Sequence, residues 1–195
     1  MPVPASTISR ENVSCPSCCA HLGAGAEACP VCGYSASVVV EKFTFDAPPL
    51  QDLLDVEGVA AADRQGVEAA IADFCGRFPQ LAVSVCLLRL QEGVNLREFG
   101  HWMINASPLA EGETPEARRR TILLIMDLSS GDAALTLGYD LEVLIGENPA
   151  RTALETAAPH LAAGRFREGT ETFLEAVSSV LGHTTRGLAQ MNLLP

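Results

Sequence analysis

Between residues 15 and 34 the chain reads CPSCCAHLGAGAEACPVCGY, and four of its thiols form two Cys-x-x-Cys pairs, Cys15/Cys18 and Cys29/Cys32, ten residues apart. The segment holds too few apolar side chains to build a core, so its shape must be imposed by chemistry at the sulfurs. A Cys-Pro-x-Cys turn bends the backbone until its two sulfurs converge, and amide N–H groups within the turn can donate to the thiolates. Two such turns supply four soft ligands, the set that a tetrahedral zinc ion takes at about 2.3 Å. Iron in a rubredoxin-like site is disfavoured by the short spacer. A thioredoxin-type redox pair is disfavoured because no strand–helix frame surrounds either motif. Four thiolates close the coordination shell and leave no position for water, so the expected ion is a structural Zn2+.

The segment resembles the short zinc ribbons found at the ends of many prokaryotic proteins, in which Cys-Pro-x-Cys-Gly occurs twice around a stretch of small or acidic residues. Residues 29–33 match that pattern fully, whereas Cys19 stands where the first turn has glycine. Cys19 therefore puts the geometry of the first turn in question and offers a substitute ligand. His21, between the pairs, is expected at the surface. Cys75 and Cys86 fall on apolar faces of a helix and a strand, where free cysteine acts as a small hydrophobe.

The remaining totals narrow the function classes. With 195 residues, 48% hydrophobic and 19% charged, the chain can form one ordinary domain plus a small module. A formal net charge of −11 argues against a nucleic-acid partner, which needs a basic face, and against an anionic membrane surface. The opening MPVPASTISRENV lacks the apolar stretch of a secretory signal. No apolar run approaches the ~18 residues of a membrane span. Paired thiols without an export signal point to a reducing cytoplasm and to metal chemistry rather than disulfides.

Along the chain, 1–14 reads as a flexible N-terminus, 15–36 as the zinc ribbon, 37–49 as a strand-like connector, 50–182 as a larger domain and 183–195 as a tail. The β-branched run SVVVEKFTF (37–45) predicts a strand, broken by DAPPLQD. Val67, Ile71, Phe74 and Phe78 recur at helical spacing and predict a helix over 61–77. LAVSVCLLRL (81–90) predicts a buried strand, and Leu96, Phe99 and Met103 a shorter helix. TILLIMDL and AALTLGY predict strands joined by SSGD as an antiparallel hairpin. Asn148 and Pro149 read as the N-cap and first position of a helix that Pro159 kinks or ends. Phe166, Thr170, Phe173, Leu174, Val177 and Leu181 form the stripe of a final helix that Gly182 is placed to stop.

The C-terminal half, from TILLIMDL through GRFREGTETFLEAVSSVL, resembles the TPM domain family, named for thylakoid lumen, photosystem and nematode receptor-associated members. Gly138, Tyr139, Leu141, Glu142, Pro159, Gly164, Phe166 and Gly169 fall in the family's order, and Asp55 and Gly58 match its opening helix. The resemblance implies an α/β sandwich, a small mixed β-sheet with helices on both faces. It implies phosphatase activity in some members and, in some, a divalent cation such as Ca2+ or Mg2+ on acidic loops at one sheet edge, here Asp55, Asp140 and Glu142. Two departures weaken that edge: Arg118, Arg119 and Arg120 replace the usual Asp-Asn-Gly, and Asp140 replaces a glycine. The three arginines form a candidate anion site, although Glu111, Glu113 and Glu116 lie in the same loop and can neutralise them. The chain shows no phosphate-cradling glycine loop, no His-Glu-x-x-His and no nucleophile elbow. His101, His160 and His183 are isolated, and GHW (100–102) reads as helix surface and packing. The expectation is a non-catalytic cytoplasmic zinc-ribbon protein that binds a protein partner, without nucleic acid or membrane insertion. The alternative is a divalent-metal-dependent phosphatase.

Overall fold

Aliphatic runs and amphipathic stretches alternate after residue 50, and the computed structural model turns them into a layered α/β arrangement; it describes residues 13–23, 25–110 and 113–190. Most of the expected N-terminal stretch, Glu111 and the last five residues lie outside those described. The elements run β1 (Val13–Ser14), β2 (His21–Leu22), α1 (Ala36–Lys42), β3 (Leu53–Asp55), α2 (Arg64–Arg77), β4 (Ala82–Leu88), α3 (Leu96–Ala106), α4 (Pro115–Arg118), β5 (Thr121–Asp127), β6 (Ala133–Leu137), α5 (Tyr139–Ile145), α6 (Glu147–Ala162) and α7 (Phe166–Gln190). Among the described residues no helix is long and apolar enough to cross a membrane.

The sheet is mixed and four-stranded, in the order β3-β4-β5-β6; the first two pairings are parallel and the last antiparallel. Side chains alternate across it as the pleat requires. Val83, Val85 and Leu87 of β4 and Ile122, Leu124 and Met126 of β5 face one core, built with α2, α5, α6 and α7. Cys86 and Leu88 of β4 and Leu123 and Ile125 of β5 face a second core with α1 and α3. Helices thus cover both faces, as the family resemblance implies. Successive crossovers β3–α2–β4 and β4–α3–β5 move the same way across the sheet with their helices on opposite faces. One of them must therefore depart from the right-handed rule.

Several local expectations are corrected. Residues 36–42 are helical, not a strand: the Ser35 hydroxyl accepts from Val38 N–H, and Val39 and Phe43, one turn apart, both enter the second core. Gly146 rather than Asn148 precedes α6, with φ 77. Pro159 does not end α6, which continues to Ala162; the stop is Gly164 (φ 71), beside which Arg165 N–H donates back to the His160 carbonyl at 3.0 Å. Nor does Gly182 end α7, which runs through it to Gln190. All six residues of the predicted α7 stripe are buried.

Candidate metal centre and the sheet-edge carboxylates

The two cysteine turns close in the same way. Cys15 N–H donates to Ala20 at 2.8 Å and Cys19 N–H to Cys15 at 2.9 Å; Cys29 N–H donates to Tyr34 at 2.8 Å and Gly33 N–H to Cys29 at 2.9 Å. Each turn then needs a left-handed residue straight after its second cysteine. Gly33 takes φ 74 without cost, whereas Cys19 takes φ 62 with a side chain attached. The substitution at position 19 thus leaves the turn geometry unchanged, at the expense of backbone strain.

The four Sγ atoms lie within 4.8 Å of one another, with Cys15–Cys32 and Cys18–Cys29 each at 3.6 Å. A tetrahedron with zinc–sulfur bonds of about 2.3 Å has edges of about 3.8 Å, so the residues present fit the ion. Their acidities point the same way. The Cys32 amide, with that of Val31, holds the Cys29 thiol down at about 6, against the cost of desolvation. The Ala20 amide also lowers Cys18, but desolvation and the three neighbouring thiols outweigh it and push Cys18 up to about 12. Burial raises Cys15 as well. Such a cluster gives up the Cys29 proton readily and holds those of Cys15 and Cys18 unless a cation sits at its centre.

The ribbon is seated on α3. Asn95 Nδ2 donates to the Ser17 carbonyl at 3.2 Å, the Arg97 guanidinium meets Cys19 Sγ, and Lys42 pairs with Glu98. Cys15, Cys29 and Tyr34 join Phe43, Phe99, Trp102 and Met103 in the second core. The Trp102 ring lies 5.0 Å from Phe43 and 5.5 Å from Phe99. The Tyr34 hydroxyl lies 3.0 Å from His101 Nδ1, and His101 Nε2 lies 2.9 Å from the Tyr139 hydroxyl. Burial raises the Tyr34 pKa and lowers that of His101, which keeps both neutral. His101, read from the sequence as helix surface and packing, therefore bridges ribbon and α5. No sequence signal separates it from an ordinary helix histidine.

The candidate carboxylates are not brought together. Asp55 ends β3 and accepts from Val59 N–H at 3.1 Å and Ala60 N–H at 2.9 Å, closing the turn into α2. Asp140 sits at the start of α5, paired with Arg119 at 2.7 Å and Arg120 at 3.5 Å. The ladder aligns Asp55 with Leu87 and hence with Met126, whereas Leu137, just before α5, aligns with Ile122. Four residues of strand, roughly 13 Å, separate those positions. Glu142 Oε2 is buried and makes no hydrogen bond among the described residues. Burial raises its carboxyl to about 7, opposed by Arg97. Among the described residues only the four cysteines gather three or more potential ligands within reach of one ion.

The arginine run separates too. Arg118 is buried and donates to the carbonyls of Ile104 (3.0 Å), Ser107 (2.9 Å) and Pro108 (2.6 Å) and to Glu113 (2.8 Å), stapling the loop after α3. That guanidinium in turn holds the Glu113 carboxyl below its usual range. Glu116 is exposed. Gly138 lets the β6–α5 turn pass close by, since a Cβ there would lie 2.4 Å from the Arg119 backbone. Asp127, absent from the sequence-based candidates, caps β5 by accepting from Leu90, Ser129 and Ser130 N–H; the DLSSG string is its signal, an Asx-type turn.

No family model and no curated protein matches this chain. Among solved structures, it is similar to the N-terminal domain of the cg2496 protein from Corynebacterium glutamicum, at 16% identity and TM-score 0.48, over 71% of this chain and 81% of that one. It is also similar to the N-terminal domain of a protein from P. gingivalis, at 16% identity and TM-score 0.49, over 75% and 88% of the two chains.

Proposed function

We propose that this chain is a zinc-stapled, TPM-like protein of a reducing compartment that acts by binding a protein partner rather than by catalysis. The observation that carries the reading is the seating of the thiol tetrad in the second core, where Cys15 and Cys29 pack with Tyr34, Phe99 and Trp102. A closed tetrathiolate supplies stability and shape, not a reactive water. Asp55 and Asp140, two of the three carboxylates the family resemblance offers for a cation, are committed to amides and guanidinium groups. The negative charge that disfavours nucleic acid remains the argument for a protein partner.

The test couples metal to fold. Purified protein should hold one zinc per chain, and chelation should red-shift emission from Trp102, the single tryptophan, which lies buried beside the ribbon. Retention of the blue-shifted emission after complete zinc removal would sink the staple. Phosphate-ester hydrolysis dependent on added divalent metal would sink the non-catalytic part.

One observation favours the alternative, a metal-dependent phosphatase: Glu142 has the buried, unpartnered and weakly acidic carboxyl common at functional sites. In that case Glu142→Ala abolishes turnover and leaves the zinc content unchanged.

A further inference from the structure

Where the loop after α3 folds back toward the β6–α5 turn, the structure leaves a cavity of about 310 Å³. This lies at the lower end of the volumes that hold small organic ligands. Two features of its lining stand out in a chain of net charge −11: it includes Arg118 and Arg119, and it includes no carboxylate. Around it three guanidinium groups share two carboxylates, because Glu113 serves Arg118 while Asp140 serves both Arg119 and Arg120. One positive charge is therefore in excess.

The two lining arginines have different parts. Arg118 is buried and its donors are committed to the α3 loop, so it forms the back wall. Arg119 is half exposed, and its Nε and Nη2 both address a single oxygen, Asp140 Oδ1, at 2.8 and 2.7 Å. A five-donor fork used in that way has donors to spare. Opposite it, His101 is fixed at both ring nitrogens and makes a rigid neutral wall. Thr136, also on the lining, carries a buried hydroxyl oxygen without a hydrogen-bond partner among the described residues. Ile104 and Pro115 complete an apolar side, whereas Leu137 lends only backbone because its side chain packs against the first core.

We propose that this cavity binds a small organic carboxylate, with Arg119 holding the carboxylate and Ile104 and Pro115 its apolar body. The excess of a single positive charge favours a monoanion over a dianionic phosphate, since a second negative charge would face Asp140 uncompensated. Planar two-oxygen recognition also suits a guanidinium fork. The inference goes beyond the partner-binding role and stands or falls separately from it, because neither the ribbon nor Glu142 lines the cavity.

Benzoate is the probe, titrated into the full zinc-loaded chain and followed by methyl and amide NMR shifts, with benzamide and phenyl phosphate as comparators. A ligand of this size should bind with a high-micromolar to millimolar Kd. Shifts should centre on Ile104 and Thr136, and benzamide should bind at least about tenfold more weakly. Arg119→Gln should weaken benzoate by about tenfold or more. Arg120→Gln, which removes an equal charge from outside the lining, should change it by less than about threefold. Equal losses in the two variants would reduce the effect to general electrostatics and overturn the site. So would benzamide binding as well as benzoate, phenyl phosphate binding more tightly, or no saturation at millimolar benzoate. If Arg119→Gln fails to fold, the shift map of the unaltered protein decides: shifts away from Ile104 and Thr136 refute the assignment.

Discussion

Replacing Glu142 by glutamine should stabilise the protein at alkaline pH and do little at acid pH. Burial raises this carboxyl from its ordinary 4.5 to about 7, with Arg97 opposing, and its Oε2 has no hydrogen-bond partner among the described residues. Below the unfolded-state value both states hold the proton. Between 4.5 and about 7 the folded state keeps a proton that the unfolded state has released, so stability falls as pH rises through that window and levels off above it. A difference of this size corresponds to roughly 3 kcal/mol, and solvent screening of an incompletely buried side chain reduces it to about 2 kcal/mol. Glutamine keeps the shape of the protonated acid without its titration. Urea denaturation of both proteins at intervals from about pH 5 to 8, with zinc content matched at every point, should show a gap that opens toward about 2 kcal/mol in favour of Glu142→Gln. A gap independent of pH would refute the reasoning. A wild type more stable than the variant at pH 8 would do so too, because the ionised carboxylate would then be a net partner of Arg97.

Two further substitutions test local claims. Arg118→Met should cost about 3 kcal/mol or more, because three carbonyls and Glu113 lose their donor inside the protein, whereas Arg119→Met at its exposed ion pair should cost less than about 1 kcal/mol; comparable losses in urea denaturation would contradict the staple. Cys19→Gly should gain up to about 1 kcal/mol by relieving the positive φ, with zinc stoichiometry unchanged by metal analysis; loss of zinc would make Cys19 a ligand.

What could be read ahead of the structure depended on whether a feature is set locally. The thiol spacing fixes its own geometry, so the four cysteines assemble as the sequence implies. Ile122 to Met126 and the SSGD turn specify a strand and hairpin by side-chain type alone, and both form. Residues 38–40 are three consecutive valines, a strand signal by local preference, yet they lie in a helix. The deciding interactions are the Ser35 cap and the burial of Val39 and Phe43 against α3, neither of which has a local signature. The separation of the candidate carboxylates is illegible in the sequence for a related reason. The resemblance groups Asp55, Asp140 and Glu142, but which end of the sheet each reaches depends on strand direction and register. Arg118 and Arg119 are neighbours of one residue type, and only the path of the α3 loop makes one a buried staple and the other a half-exposed fork.

The placement of the ribbon changes what the metal can be doing. A terminal module on a loose tether would stabilise itself alone, and its loss would leave the sheet intact. Here α3 and the short α1 are the helices on the second face, and Cys15, Cys29 and Tyr34 add to the cover alongside Leu50, Leu54 and Leu90. Phe99, Trp102, Leu123 and Ile125 are therefore kept from water partly by residues whose position, on the proposed zinc reading, would depend on a metal–sulfur bond. Burying side chains of that size is worth about 1.5–3 kcal/mol each. Exposing even two of them would remove a large part of the 5–15 kcal/mol by which domains are ordinarily stable. The four-cysteine cluster is thus coupled to the sheet through packing, and the connection to α5 through Tyr34, His101 and Tyr139 carries that coupling to the wall of the cavity.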